Sequence, residues 1–213
     1  VLAHPRFPIR PPYKGGMEAH AATLTRALSA RGHEVTLFAS GDSDPALPIH
    51  SMTPVHYEAE MPWHDFRASL PFRVRLAAIF RETLAAVEAG GFDVVHNNCL
   101  HFIPLSLVDT LPCPMVTVLH TPPFSSLQSA AMLARDAENH RFVGVSRSLG
   151  RQWERFIGKR YAVVHNGLRT ERWTATADAE PRTAVWCGRI CREKGPELAI
   201  AAARRAGYRL VMA

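Results

Sequence analysis

Two cations near the end of the chain have the residue types and spacing that bind a diphosphate. Arg189 follows Gly188, and Lys194 precedes the pair Gly195-Pro196, which can open a helix. Guanidinium and ammonium groups beside a helix N-terminus stabilise the negative charge that develops on a leaving diphosphate. The spacing therefore predicts a phosphate clamp, with an ordinary surface lysine as the alternative for Lys194.

A glycine pair at Gly15-Gly16 lies between a short apolar segment and the first amphipathic helix. Backbone N–H groups and the helix dipole favour an anion at such a position, and glycine lets a phosphate or a sugar approach the main chain. The pattern is not Gly-x-Gly-x-x-Gly, and Ser40-Gly41 rather than an acidic residue follows the second predicted strand. Both features argue against a nicotinamide dehydrogenase. A plain turn is the alternative for the glycine pair.

Polar side chains follow almost every predicted strand. Ligands of a doubly wound sheet bind outside the carboxyl ends of its strands, so these positions predict the lining of a cleft. An ordinary strand-end cap is the alternative for any one of them, and the set carries more weight than its members. The set is His4, Ser40, Asn97-Asn98, His120-Thr121, Ser146, Asn166-Gly167 and Gly188-Arg189.

Other chemical motifs are missing from the sequence. It contains no Walker loop, no Gly-x-Ser-x-Gly and no His-Glu-x-x-His, and its four cysteines do not have zinc-site spacing. We expect free thiols in a reducing compartment and neither a metal nor a cofactor. Asp42 and Asp44 form an Asp-Ser-Asp triplet, for which turn chemistry is favoured over metal binding because a proline-rich loop follows.

The elements that must position these residues alternate between short apolar strands and amphipathic helices. Met17, Ala21, Leu24 and Leu28 define one apolar helix face, and Gly32 fits the left-handed position that ends this helix. Ser146 is a natural N-cap. Further helices are predicted at residues 72–88 and 147–156. Strands are predicted at residues 1–4, 35–40, 93–96, 115–120, 142–145 and 162–165, and residues 41–63 as an irregular stretch with a short strand near 55–57.

This alternation predicts an α/β fold with a parallel sheet, right-handed crossovers and helices on both faces. Residues 1–167 would form one complete Rossmann-like, doubly wound domain, and residues 168–182 a linker. Residues 183–213 would begin a second domain with one strand–helix–strand unit (183–187, 196–206 and 208–212). Such a unit cannot bury both faces of its sheet, and the first strand is short and lacks an initiating Met. We therefore expect a fragment truncated at both ends.

Composition indicates a globular protein. The chain has 213 residues, of which 47% are hydrophobic, and its formal net charge is +6. No apolar run reaches the roughly 20 residues that span a bilayer, and the N-terminus does not resemble a signal peptide, so we expect a cytoplasmic protein. The positive excess suits nucleotide diphosphates and anionic lipid surfaces, which makes peripheral membrane association an alternative. The scattered basic residues argue against nucleic-acid binding.

The motifs, taken in order, resemble the family 4 retaining glycosyltransferases, which have the GT-B fold. The likeness covers nearly the whole chain, and its specificity lies in the ordered set rather than in any one motif. The matching segments are Gly-Gly-Met-Glu at 15–18, Arg-Gly-His-Glu-Val-Thr-Leu at 31–37, Phe-Asp-Val-Val-His at 92–96, Val-Leu-His-Thr at 118–121, Val-Gly-Val-Ser at 143–146, Val-Val-His-Asn-Gly at 163–167, Gly-Arg at 188–189 and Lys-Gly-Pro-Glu-Leu-Ala at 194–199.

The resemblance implies a GT-B type enzyme whose first domain holds the acceptor and whose second domain holds a nucleotide sugar, such as UDP-glucose, as co-substrate. Transfer would retain configuration without an obligatory metal. The implied donor-binding residues are Gly15, Gly16, Arg189 and Lys194. His120 would lie beside the transferred sugar, hydrogen-bonding it or stabilising positive charge. Glu18 and Asn97 would border the acceptor.

The family's acidic motif, two glutamates spaced by seven residues, falls beyond this chain, so the fragment alone is expected to bind donor poorly and transfer nothing. Two alternatives share the fold: a sugar-nucleotide epimerase, and an inactive nucleotide-sugar-binding scaffold. The acceptor stays open between a saccharide, a lipid-linked saccharide and a small metabolite. Residues 41–67 and 122–128 would shape that choice.

Overall fold

A computed structural model describes residues 1–168, 170–172, 174 and 180–213. The chain forms two compact units, Val1–Asn166 and Gly167–Ala213. Part of the predicted linker, namely Arg169, Trp173 and residues 175–179, lies outside the described residues, and the linker stays a prediction. None of the described helices is long and apolar enough to cross a membrane.

The first unit is built on a parallel sheet of short strands. The strands are β1 (Leu37–Ser40), β2 (Ile49–Thr53), β3 (Val95–Asn97), β4 (Met115–Leu119), β5 (His140–Gly144) and β6 (Tyr161–Val163). β1 pairs with β2, and β3 to β6 pair in sequence order. The segment at Leu2 joins the two groups through parallel bridges to Phe38 and Asn97. The spatial order β2, β1, Leu2 segment, β3, β4, β5, β6 confirms the predicted Rossmann-like sheet.

Helices connect these strands, and the three predicted for this unit are confirmed. Gly32 adopts a φ of 88° just after the first of them. The Ser146 side chain accepts a hydrogen bond from the backbone N–H of Leu149 at 3.1 Å and so caps the last. The helices are α1 (Gly16–Ala30), α2 (Tyr57–Glu60), α3 (Trp63–Phe66), α4 (Leu70–Ala89), α5 (Phe102–Ser106), α6 (Ser125–Ala134) and α7 (Arg147–Ile157).

The stretch between β1 and α4 is more ordered than the sequence predicted. Residues 49–53 form β2, and the short strand predicted near residues 55–57 is wrong, because α2 begins at Tyr57. The backbone N–H of Tyr57 donates to the carbonyl of Pro5 at 3.1 Å, so this segment bonds to the loop after the first strand instead of to a neighbouring strand. A pairing of that kind depends on residues far away in the chain.

The Asp-Ser-Asp triplet holds loops together, as the turn interpretation predicted. The carboxylate of Asp42 accepts hydrogen bonds from the backbone N–H and from Nδ1 of His56, at 3.1 and 2.6 Å. Burial alone would raise the pKa of Asp42, but hydrogen bonds from His56 and Ser40 outweigh it and lower that pKa. Asp44 accepts from the backbone N–H of Ala46 at 3.0 Å and pairs with Arg26 at 2.6 Å.

Helices cover both faces of the sheet, as alternate residues of β1 show. Leu37 and Ala39 belong to one apolar cluster, together with Ala21 and Ala22 of α1. Phe38 points to the opposite face and belongs to the larger cluster, which α4 helps to build. A strand buried on both sides is typical of a parallel sheet with helices in two layers. The doubly wound prediction is therefore confirmed for the first unit.

The second unit contains the predicted strand–helix–strand. β7 (Thr183–Trp186) pairs in parallel with β8 (Arg209–Met212), and α8 (Pro196–Ala206) connects them. Gly195 and Gly207, one at each end of α8, adopt left-handed φ values of 60° and 67°. Glycine takes up this conformation without the steric cost that other residues pay.

Candidate active site

The strand order places a crevice between the Leu2 segment and β3. The backbone N–H of Leu2 donates to the carbonyl of His96 at 2.9 Å, and the N–H of Asn98 donates to the carbonyl of Leu2 at 2.8 Å. From the Leu2 segment the chain continues through α1 to β1 on one side, whereas β3 lies on the other side. This is a topological switch point, where doubly wound sheets bind ligands at the carboxyl ends of their strands.

A small pocket opens at this point. His4 and Asn98 line it from the two strand ends, and Met17 and Glu18 line it from the first turn of α1. Two of the predicted strand-end residues and one predicted acceptor residue therefore meet here.

His120, which follows β4, is held next to this pocket by Asn98. Its Nε2 lies 2.9 Å from Oδ1 of Asn98, and Nδ2 of the same amide lies 2.8 Å from Nδ1 of His96. The ring of His20, on α1, meets the His120 ring edge-on with 5.0 Å between the ring centroids. Two imidazoles, from β3 and from the end of β4, thus contact one buried amide, and a third, from α1, packs against the ring of His120.

These imidazoles are neutral at physiological pH. Burial is the largest cause, and it lowers the pKa values of His96 and His120 to about 4. Burial acts in the same way on two further histidines of the first unit: it lowers the pKa of His4 to about 3 and that of His101 to about 4. The neighbouring rings of His20 and His96 lower the pKa of His120 further, because two imidazolium ions would repel each other.

Acidification is expected to destabilise the first unit through these histidines. In the unfolded chain their pKa returns to about 6.5, so below that value the unfolded state binds more protons than the folded state. The stabilisation is fully present above about pH 6.5 and is lost as the pH falls towards the folded-state values, by up to about 1.4 kcal/mol per pH unit for each ring. Urea unfolding between about pH 7 and about pH 5 measures this slope.

A pair of asparagine variants isolates the contribution of His4. Nδ1 of His4 accepts from the backbone N–H of Arg6 at 3.1 Å, and the amide oxygen in His4→Asn can take over that bond without titrating. We expect His4→Asn to have a smaller slope than the unaltered chain, and His33→Asn, at an exposed position, to leave the slope unchanged. Equal slopes for all three proteins would contradict the assignment.

The N-terminus of α1 presents backbone donors and one carboxylate. Gly15 is extended at the N-cap and no side chain caps the helix. A Cβ on Gly15 would lie 3.1 Å from Oε2 of Glu18, whereas a Cβ on Gly16 would meet nothing within 4 Å. The Glu18 carboxylate complements the helix dipole and would oppose a second anion. Donors and an acceptor side by side suit the hydroxyl groups of a sugar.

Asn97 lies beside this arrangement but faces another way. Its Nδ2 donates to Oγ1 of Thr117 at 3.1 Å, its Oδ1 accepts from the N–H of Cys99 at 3.1 Å, and the residue is only 1% exposed. Successive side chains of a strand point to opposite sides, so Asn98 rather than Asn97 reaches His120. The acceptor contact proposed for Asn97 stays a prediction.

Arg189 and Lys194 lie on the segment that leads into α8 in the second unit. Residues 192–194 form a single 3-10 turn before α8, and the indole N–H of Trp186 donates to the carbonyl of Lys194 at 3.3 Å. A Cβ on Gly188 would come within 3.9 Å of Cβ of Lys194. Both cationic side chains are exposed, and no carboxylate in the described part of the chain pairs with either of them.

The structure thus places Gly15, Gly16 and Glu18 at the N-terminus of α1, and His120 on Asn98, which lines the same small pocket as Glu18. Arg189 and Lys194 precede α8 in the second unit. The sequence marks Asn98 only as a strand-end residue and assigns no role at the site to His20 or His96. A signal was present for His20, since it comes one helical turn after Gly16 and so lies on the same side of α1.

The four cysteines are free thiols, as predicted, and Cys99 and Cys113 are buried. Among the described residues no three His, Cys, Asp or Glu side chains are grouped so that they could hold a metal ion.

Comparison with known proteins identifies the family. A family model described as Glycosyltransferase Family 4 matches residues 14–172, a span that runs from the start of α1 past β6 and includes the predicted site residues of the first unit. No curated protein matches the chain. Because the family match covers most of the sequence, the chain belongs to Glycosyltransferase Family 4, and its general role is glycosyl transfer.

Proposed function

We propose that this chain is part of a cytoplasmic enzyme that moves a sugar from a nucleotide-diphosphate donor, a UDP-sugar, to an acceptor hydroxyl. Transfer would retain configuration and need no metal ion. The observation that supports this best is the neutral imidazole of His120 at the switch point of the sheet, beside the uncapped N-terminus of α1. Backbone donors, a carboxylate and an imidazole at one place are what a hydroxyl-rich ligand requires.

The reaction explains why a neutral His120 is useful. As the bond between the anomeric carbon and the phosphate oxygen breaks, positive charge develops on the sugar and negative charge on the diphosphate. An imidazolium beside the sugar would oppose that charge, whereas a neutral ring can hydrogen-bond to the sugar without this penalty. The acceptor oxygen then forms the new bond on the same face, and its proton passes to the departing phosphate.

In this proposal Arg189 and Lys194 neutralise the diphosphate as it leaves. Both side chains are exposed cations next to the N-terminus of α8, whose dipole adds to their positive field. Their attraction to the diphosphate grows as its negative charge grows, which is the condition for lowering a barrier and not merely for binding. They would supply the charge that a metal ion provides in other enzymes.

The acceptor would lie along the loop that follows His4 and along α2 and α3. There the Arg6 guanidinium pairs with Glu58 at 2.8 Å and lies over the rings of Phe7 and Trp63, at 5.0 and 5.6 Å from their centroids. Aromatic faces beside charged hydrogen-bonding groups suit a saccharide. We propose that this group borders a free saccharide, a lipid-linked saccharide or a small hydroxylated metabolite.

A donor screen tests the proposal. The full-length protein is incubated with UDP-, GDP- and ADP-sugars and with acceptors of the three classes, in the presence of a chelator. We expect acceptor-dependent release of UDP and a product whose anomeric configuration, measured by NMR, is that of the donor. A rearranged nucleotide sugar without release would indicate an epimerase, and donor binding without turnover would indicate a scaffold. Either result contradicts the proposal.

Gly16→Ala separates a ligand-binding role of this glycine from a structural one. The added Cβ meets no atom within 4 Å, so the stability of the fold should change by less than about 1 kcal/mol. If a sugar or phosphate approaches this backbone, the methyl group displaces it, and we expect the rate of UDP release to fall at least about tenfold.

Ser29→Thr is the matched control for Gly16→Ala, because it adds one methyl group at an exposed position near the other end of α1. It should keep the full rate. A Gly16→Ala variant that releases UDP as fast as this control would remove Gly16 from the donor site.

A further inference from the structure

The orientation of the Asn98 amide can be assigned from its neighbours. Nδ2 lies 3.4 Å from the carbonyl oxygen of His96, in addition to its 2.8 Å contact with Nδ1 of that residue. A carbonyl oxygen can only accept a hydrogen bond, so the group facing it must be the NH2 end of the amide. The oxygen end of the amide therefore faces His120.

This orientation decides where the proton of His120 is. Oδ1 of Asn98 can only accept, so the bond of 2.9 Å requires a hydrogen on Nε2 of His120. A neutral imidazole carries one ring proton, and Nδ1 of His120 then presents a lone pair. The same logic makes Nδ1 of His96 an acceptor, with the proton of that ring on Nε2.

Nδ1 of His120 is available to a ligand. It makes no hydrogen bond to any residue that the structure describes. It is also not fully buried, so solvent can reach it. Nε2 of His20, by contrast, is buried without a partner. The one reachable ring nitrogen of His120 is thus its acceptor.

We infer that Asn98 is a positioning residue, which holds His120 as the Nε2–H tautomer so that Nδ1 accepts a hydrogen bond from a hydroxyl group of the sugar. The inference rests on the proposed function for the identity of the ligand. Asn98 is suited to this task because it is 2% exposed, is bonded at both ends of its amide and has its backbone N–H tied to Leu2. A rigid amide in a buried network allows only one proton arrangement.

The charged and titratable groups around His120 are few. His20 faces it from α1 and His96 faces it from β3, and the N-terminal amine of Val1 acts on His96. Glu18 lines the same small pocket as Asn98. Burial disfavours the charged form of each ring, and protonation of two neighbouring rings would place two cations side by side, so the network favours neutral rings.

Imidazole 15N NMR of the unaltered chain tests the tautomer directly and needs no variant and no activity. We expect Nε2 of His120 to show the chemical shift and the coupling of a protonated ring nitrogen, and Nδ1 those of an unprotonated one. The opposite tautomer, or an equal mixture of the two, would overturn the inference and would leave the proposed function unaffected.

Asn98→Asp tests the consequence for transfer in the full-length protein. A carboxylate beside Nε2–H favours the imidazolium and raises the pKa of His120 by about 1–3 units, after which both ring nitrogens are donors. Activity of the variant should then fall at least about twofold between about pH 8 and about pH 5, while the unaltered enzyme stays nearly constant. A merely structural role would lower activity equally at every pH.

Two further variants complete the design. Gln152→Glu adds the same charge at an exposed position of α7 and should keep the pH profile of the unaltered enzyme. Asn98→Leu removes the hydrogen bond without adding charge and should lower the rate about tenfold at every pH. A flat pH profile for Asn98→Asp would overturn the inference. The Nε2–H tautomer in a protein that releases no nucleotide diphosphate would support the Asn98 geometry and overturn only the proposed function.

Discussion

Lys194→Ala is expected to lower the turnover of the full-length protein about 100-fold, because the variant loses a cation that stabilises the departing diphosphate. Lys194 lies at the end of the 3-10 turn that precedes α8, close to Gly188, and its ammonium has no carboxylate partner in the described part of the chain. The interaction grows as the bond to the phosphate breaks, so kcat and kcat/KM should fall together. Steady-state release of UDP measures both constants.

Two further lysine substitutions serve as controls in this experiment. Lys159→Ala removes an exposed lysine from the loop after α7 in the first unit and should keep the full rate. Lys194→Arg keeps the charge and should recover part of the lost turnover, although the planar guanidinium changes the geometry of the contact. Turnover of Lys194→Ala within about twofold of the unaltered enzyme would rule out the phosphate clamp.

Trp153→Ala is expected to lower the free energy of unfolding of the first unit by about 3–5 kcal/mol. Trp153 is fully buried in the large apolar cluster, and its indole N–H donates to the carbonyl of Thr121 at 2.9 Å. Alanine would leave a cavity and an unpaired carbonyl directly after His120. Because Trp153 ties α7 to the residue after His120, the same change should also disturb the candidate site.

Urea unfolding followed by far-UV circular dichroism measures the effect, with two variants for comparison. Trp153→Phe keeps most of the apolar volume and loses the hydrogen bond, so a loss of about 1–2 kcal/mol is expected. Phe124→Ala removes an aromatic ring that is 40% exposed and should cost less than about 1 kcal/mol. A loss for Trp153→Ala no larger than that for Phe124→Ala would contradict the role of Trp153 in the core.

Local sequence signals predicted most of the strands and the four longest of the described α-helices, α1, α4, α7 and α8, correctly. The spacing of Met17, Ala21, Leu24 and Leu28 predicts α1, and Gly32 and Ser146 mark a helix end and a helix start that the structure confirms. Each of these signals acts through neighbours within about one helical turn, so a single sequence contains the whole interaction. The ordered motifs also led to the family that the comparison identifies.

Features that depend on contacts between residues far apart in the sequence were predicted less well. The strand expected near residues 55–57 is absent from that segment because β2 pairs with β1 at residues 49–53, and strand pairing is a long-range interaction. The sequence predicts an acceptor contact for Asn97 at the end of β3, and in the structure its amide bonds to Thr117 and Cys99 inside the sheet. Which of two adjacent asparagines faces a cleft depends on the register of the strand, and one residue of register reverses the direction of every side chain.

The sequence by itself determined the alternation of strands and helices, the glycines and cations that suit a diphosphate sugar, and the resemblance to a glycosyltransferase family. Only the tertiary structure decided that His96 and His120 contact the amide of Asn98, that His20 packs against His120, and on which ring nitrogen His120 carries its proton. The physical reason is that a hydrogen-bond network is defined by distances between atoms from α1, β3 and the end of β4. Those distances exist only after the sheet has brought the three elements together.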